Sequence, residues 1–243
     1  MRTTLKLAIC LSAITGGVAL GGPEVILSST VARTHLLELY TSEGCSSCPP
    51  AEKWVSALKT SPRLWKDFVP VVFHVDYWDG LGWPDRFAAK THTARQRAYA
   101  AAWGSGTVYT PGFVLDGQEW RDRAVDRLPA PDGAAGMLSV TIRDRTTVSV
   151  TYAPTREGKW EAHVAVLGFG ISSDVKSGEN SGRKLLHDFV VLAHETKLMA
   201  HDAGLARVEF PMPALSAEGE LGVAVWVAEP GEPHPAQAVG GKL

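Results

Sequence analysis

Short apolar runs separated by turn residues dominate the chain, and only two stretches are patterned for helices. Residues 35–40 (HLLELY) are almost continuously apolar and predict a buried strand. A turn follows at residues 41–44. Pro49, Pro50, Ala51 and Glu52 then open a helix with Trp54, Val55 and Leu58 on one side. Proline suits a first helical turn, where the N–H groups have no partner within the helix. Residues 69–75 (VPVVFHV) predict a second strand, and 76–86 a loop rich in aromatic residues and Asp. The alanine-dense stretch 87–103 predicts a second helix, and 112–115 a third strand. Asp116-Gly117 is a hairpin signal, with a short fourth strand expected beyond it.

The pattern changes after Leu128. Residues 129–133 (PAPDG) predict a linker. Beyond it come short strands at 138–142, 148–152, 160–167, 189–193, 206–210 and 221–227, with no long helix between them. Two domains are therefore expected. Residues 33–128, in the order β-α-β-α-β, predict an α/β N-terminal domain, thioredoxin-like once the Cys45-Ser46-Ser47-Cys48 motif is added. Residues 137–243 predict a β-rich C-terminal domain, antiparallel and sandwich-like.

The N-terminus changes the cysteine count. Arg2 and Lys6 precede an uncharged apolar run from Leu7 to Leu20, followed by Gly21 and Gly22. This predicts a secretory signal peptide over residues 1–22, hence a periplasmic or secreted protein with no membrane span in the mature chain. Removing it takes Cys10 and leaves Cys45 and Cys48. Two cysteines so close cannot staple a large fold, but in an oxidising compartment they can cycle between dithiol and disulfide. The net charge of −2 gives no basic footprint for nucleic acid. No cofactor is expected.

The strand–turn–Cys-x-x-Cys–helix arrangement carries the chemistry. A helix N-terminus stabilises a thiolate, which makes Cys45 the attacking and Cys48 the resolving thiol. Glu43 opposes that effect. Pro111 precedes the third strand, where a cis-proline faces the cysteine pair in thioredoxin-like folds, and Thr110 before it would offer backbone groups to an extended substrate. Glu38 is an acid in an apolar strand: it either takes the proton of Cys48 or hydrogen-bonds structurally. Tyr77, Trp78 and Tyr109, with Trp83, either line a substrate groove or pack a long loop. His74 and Asp76 suit a core histidine and a capping aspartate. A metal needs more ligands than two cysteines, and no spacing links His35, His74, Asp76 or His92 to the pair, so no metal site is expected.

Residues 37–52 (LELYTSEGCSSCPPAE) resemble the signature of a secreted bacterial family called domain of unknown function 1223. Residues 74–78 (HVDYW), 95–99 (RQRAY), 109–111 (YTP) and 178–183 (GENSGR) are similar to it as well. The resemblance implies a thioredoxin-like fold followed by a β-rich domain, and no known substrate. Gly112 departs from the longer polar residue expected there. The 178–183 segment suits a tight loop with Arg183 paired to Glu179, in preference to a loop docked on the cysteine face. The leading expectation is a thiol-disulfide oxidoreductase acting on protein or peptide thiols or disulfides. The alternatives are an exported binding module with a structural disulfide, and a metal-delivery protein using the cysteine pair.

Overall fold

The computed structural model describes residues 24–121, 127–213 and 219–243; the expected signal peptide lies outside them. The first elements are β1 (Glu24–Ser28), β2 (His35–Thr41), α1 (Pro49–Ala57), β3 (Phe68–His74), α2 (Lys90–Ala102), β4 (Gly112–Leu115) and β5 (Gln118–Glu119). β2 pairs parallel with β3 on one side and antiparallel with β4 on the other. β4 turns into β5 through Asp116 and Gly117, whose φ values of 48° and 82° suit the tight hairpin turn that Asp-Gly favours. Every residue of β2 is buried, because helices cover it on both faces. Thr41 bonds to Glu52 of α1, whereas Glu38 bonds to Arg95 and Tyr99 of α2.

The remaining strands are β6 (Met137–Arg143), β7 (Thr147–Ala153), β8 (Glu161–Phe169), β9 (Ile171–Asp174), β10 (Lys184–His187), β11 (Val190–Leu198), β12 (Ala200–Asp202), β13 (Leu205–Pro211), β14 (Glu220–Ala228) and β15 (Pro235–Lys242). β1, β6, β7, β13 and β12 form one sheet in that order. A second sheet runs β15-β14-β8-β11-β3-β2-β4-β5. The two pack around Leu138, Val140, Ile142, Val148 and Val150 from one side and Val164, Val223, Val225 and Val239 from the other.

The eight-stranded sheet crosses the division expected at the 129–133 linker. β11 joins β3 in parallel at Val190 and Val72, and the Val72 N–H donates to the Phe189 carbonyl at 2.9 Å. The core continues across as well: Phe73 and Trp226 belong to one apolar cluster. β1 precedes the first expected domain in sequence yet pairs with β6 along its whole length. Helix α2 begins at Lys90, three residues later than its alanine content suggests. Ala88 bridges His74 and the Ala89 N–H donates to the His74 carbonyl, so this stretch is held extended before the helix can start.

Candidate functional site

Cys45 and Cys48 form a disulfide with Cα atoms 5.4 Å apart. The turn that presents them is built from β2 outward. The Gly44 N–H donates to Ser42 Oγ at 3.0 Å, and the Cys45 N–H to the Ser42 carbonyl at 3.1 Å. Cys48 is the N-cap of α1, and its carbonyl accepts the Ala51 and Glu52 N–H groups. Ser46 and Ser47 are exposed, whereas both cysteines are fully buried. Exposure therefore does not set Cys45, the expected attacking thiol, apart from Cys48, the expected resolving one.

Two segments pack on the cysteine turn. Trp78 packs so closely on Gly44 that a Cβ added there would lie 3.2 Å from the Trp78 Cβ. The loop between β9 and β10 docks from the far half of the chain. Asn180 Nδ2 donates to the Glu43 carbonyl at 2.8 Å and the Cys45 carbonyl at 2.9 Å. Glu179 accepts the Ser46 N–H at 2.9 Å. Arg183 donates to Asn180 Oδ1 and so positions the asparagine. This corrects the expected Arg183–Glu179 pairing: Glu179 is spent on the cysteine turn, and the loop docks on the cysteine face.

A buried polar network lies beneath the turn. Glu52 stands four residues after Cys48, a spacing that puts both on one helix face. It accepts from Thr41 Oγ1 at 2.7 Å and pairs with His187 Nδ1 at 2.7 Å. His187 Nε2 pairs with Glu43 at 3.0 Å, and Trp83 Nε1 donates to the other oxygen of Glu43 at 2.7 Å. Burial alone would lower the His187 pKa, but its bonds to Glu43 and Glu52 outweigh that and raise it to about 9. Burial opposes the charge of Glu52 too, yet His187 and His74 hold its carboxyl below the usual range. His74 Nδ1 pairs with Asp85 at 2.6 Å. Asp85, despite burial, is held at about 2 by His74 and by the N–H groups of Glu43 and Phe87.

The other sequence candidates divide. The Thr110–Pro111 bond is cis and leads into β4. Thr110 Oγ1 accepts from Trp78 Nε1 at 2.8 Å, so Thr110 and Trp78 are tied together beside the cysteine turn. Tyr77 reaches Gln96 at 3.3 Å, and Gln96 also donates to the Tyr109 carbonyl. The ring of Tyr109 is exposed, with its hydroxyl on Glu119. Asp76 accepts from Thr93 of α2 at 2.5 Å. Gly112 has a physical reason: an added Cβ would lie 2.9 Å from the Tyr109 carbonyl. Glu38 is on the α2 side of the sheet, where its carboxylate is taken by Arg95 at 2.8 and 2.9 Å and by the Tyr40 and Tyr99 hydroxyls. Glu52 is the acid on the α1 side, with the cysteines.

The family model described as a protein of unknown function, DUF1223, matches residues 36–228. The chain belongs to that family. No curated protein matches this DUF1223 chain. Among solved structures it is similar to protein AGR_C_4864 from Agrobacterium tumefaciens, at 26% identity and a TM-score of 0.62, covering 88% of this chain and 96% of that one. It also shares its fold with HBP35 of Porphyromonas gingivalis, at 16% identity and a TM-score of 0.60, over 88% of this chain and 76% of that one. The matched span of the family model takes in the cysteine turn, the β9–β10 loop and His187 alike.

Sequence reasoning missed Asn180 and His187 as partners of the cysteine turn. They lie 135 residues or more from Cys45 and Glu52, so no local spacing announces them. Glu52 was within reach through its i,i+4 relation to Cys48.

Proposed function

We propose that this protein is an exported thiol-disulfide oxidoreductase with a thioredoxin-like arrangement built into its larger sheet, acting on protein or peptide thiols and disulfides. The observation that carries the reading is the placement of the Cys45–Cys48 disulfide between the end of β2 and the start of α1, above buried Glu52. The strand order β3-β2-β4-β5, with β2 and β3 parallel and Pro111 entering β4, supports it. Export rests on Arg2, Lys6 and the apolar run after them.

In the oxidising direction a substrate thiolate attacks Cys45 Sγ. The Cys45–Cys48 bond breaks, a mixed disulfide forms, and the electron pair leaves on Cys48 as a thiolate that takes up a proton. A second substrate thiolate then attacks the mixed disulfide and expels Cys45 as a thiolate. The substrate is oxidised by two electrons and the protein is left as a dithiol. The reverse direction uses the same steps. Because both sulfurs are buried, attack requires the packing on the turn, Trp78 and the β9–β10 loop included, to open.

The same burial favours a second reading, a structural disulfide in an exported binding module. Closing so short a loop stabilises the fold by only about 2 kcal/mol on chain-entropy grounds. Reaction of the oxidised protein with a reduced dithiol peptide separates the two readings. Stoichiometric peptide oxidation at neutral pH supports exchange; a disulfide that persists until the protein is denatured supports the structural role.

A further inference from the structure

We propose that Glu52, His74 and His187 form a binding site for a divalent transition-metal ion of the zinc type, beneath the cysteine turn and independent of thiol exchange. The three residues come from α1, the end of β3 and the end of β10, and all are buried. Each offers a ligand atom within 4.8 Å of those of the other two. A zinc ion bound at about 2.0–2.2 Å brings tetrahedral ligand atoms to about 3.3–3.6 Å apart, so the widest separation closes by about 1.5 Å at most. His187 Nδ1 and Glu52, now hydrogen-bonded at 2.7 Å, move apart by about 0.6–0.9 Å to share the ion.

The second observation is an open nitrogen. Among the described residues, buried His74 Nε2 has no hydrogen-bond partner, and an unpartnered buried polar atom is costly. Asp85 occupies Nδ1, so Nε2 is the atom His74 has to give. The outer groups match what ligating histidines need. A metal-bound imidazole commonly donates its other N–H to a carboxylate, which fixes the tautomer and raises its basicity. Here both do so: His74 Nδ1 is on Asp85 and His187 Nε2 is on Glu43. Asp85 is itself anchored by the Glu43 and Phe87 N–H groups, and Glu43 by Trp83. Two imidazoles and a carboxylate, with carboxylates behind both imidazoles, suit a borderline-soft divalent ion better than calcium or magnesium, which take all-oxygen shells. The ion takes the place of the hydrogen bond between His187 Nδ1 and Glu52.

The test uses the full mature chain in its oxidised form, equilibrated with zinc(II) against a competing chromophoric chelator. One zinc per chain is expected, with X-ray absorption reporting two imidazoles, oxygen and no sulfur. His74→Gln should weaken binding at least a hundredfold. Asp85→Asn should weaken it about 10–100-fold, the range typical of outer partners. His201→Gln, at an exposed position, should change nothing. Should His74→Gln fail to fold, the absorption spectrum of the wild type decides alone. Sub-stoichiometric binding, sulfur in the coordination shell, or affinity unchanged in folded His74→Gln would overturn the site. Peptide oxidation by the metal-free protein is measured separately, so loss of either finding leaves the other standing.

Discussion

Glu38 accepts four hydrogen bonds on its two oxygens, two of them from the Arg95 guanidinium. Removing one partner of a buried ion pair strands the other charge, at a cost of about 3–5 kcal/mol. Glu38→Gln should therefore lower the denaturant midpoint sharply, while peptide oxidation by the folded variant stays within about twofold of wild type. A selective loss of exchange would return Glu38 to the cysteine chemistry. His35 gives a pH signature. Burial pulls its pKa down, but its bonds to Asp116 and the Ala130 carbonyl outweigh that and raise it. A raised folded pKa means stability that is fully present below the unfolded value of about 6.5 and lost as pH rises through the folded one. The gap in unfolding free energy between wild type and His35→Gln should thus shrink between pH 6 and pH 9. A gap that is constant or grows with pH would contradict the assignment. An acid in HLLELY was legible as unusual, but which face it served depended on α2, whose Arg95 lies 57 residues away.

At the scale of elements, the β9–β10 loop is hydrogen-bonded to the cysteine turn through Asn180 and Glu179. Asn180→Ala removes two hydrogen bonds to the turn, each worth about 0.5–1.5 kcal/mol. If lifting the loop limits reaction, reduction of Cys45–Cys48 by a small dithiol should speed up about tenfold in this variant. An unchanged rate would mean that the loop does not gate the pair. The helix and strand beside the turn were readable from the sequence because their signals are local: continuous apolar residues in β2, prolines at the start of α1, Asp-Gly between β4 and β5. β15 was not, since PAQAVGGK carries glycines in place of strand formers and is held by pairing with β14 along its length. β9 and β10 are four residues each and, among the described residues, pair only with one another. The GENSGR segment between them looked like turn chemistry because its partners are on the opposite half of the chain.

For the whole molecule, one eight-stranded sheet joins the halves that composition separates. Pattern reading detects the change from mixed α/β to all-β texture, but it cannot see that β11 lies beside β3. The contact holds more than the sheet: Lys59 pairs with Asp188 at 2.7 Å, and His187 fills the space under α1. Residues 33–128 made alone should therefore give a poorly dispersed NMR spectrum, whereas the full chain unfolds in one cooperative step. A well-dispersed fragment spectrum would contradict this dependence. The central claim is that the buried pair nonetheless exchanges, and trapping tests it most directly. Reduced Cys48→Ala protein is mixed with an oxidised peptide disulfide at neutral pH, and adducts are read by mass spectrometry. A long-lived mixed disulfide through Cys45, absent from Cys45→Ala, is the predicted result. A folded Cys48→Ala variant whose Cys45 stays a free thiol under those conditions would contradict it.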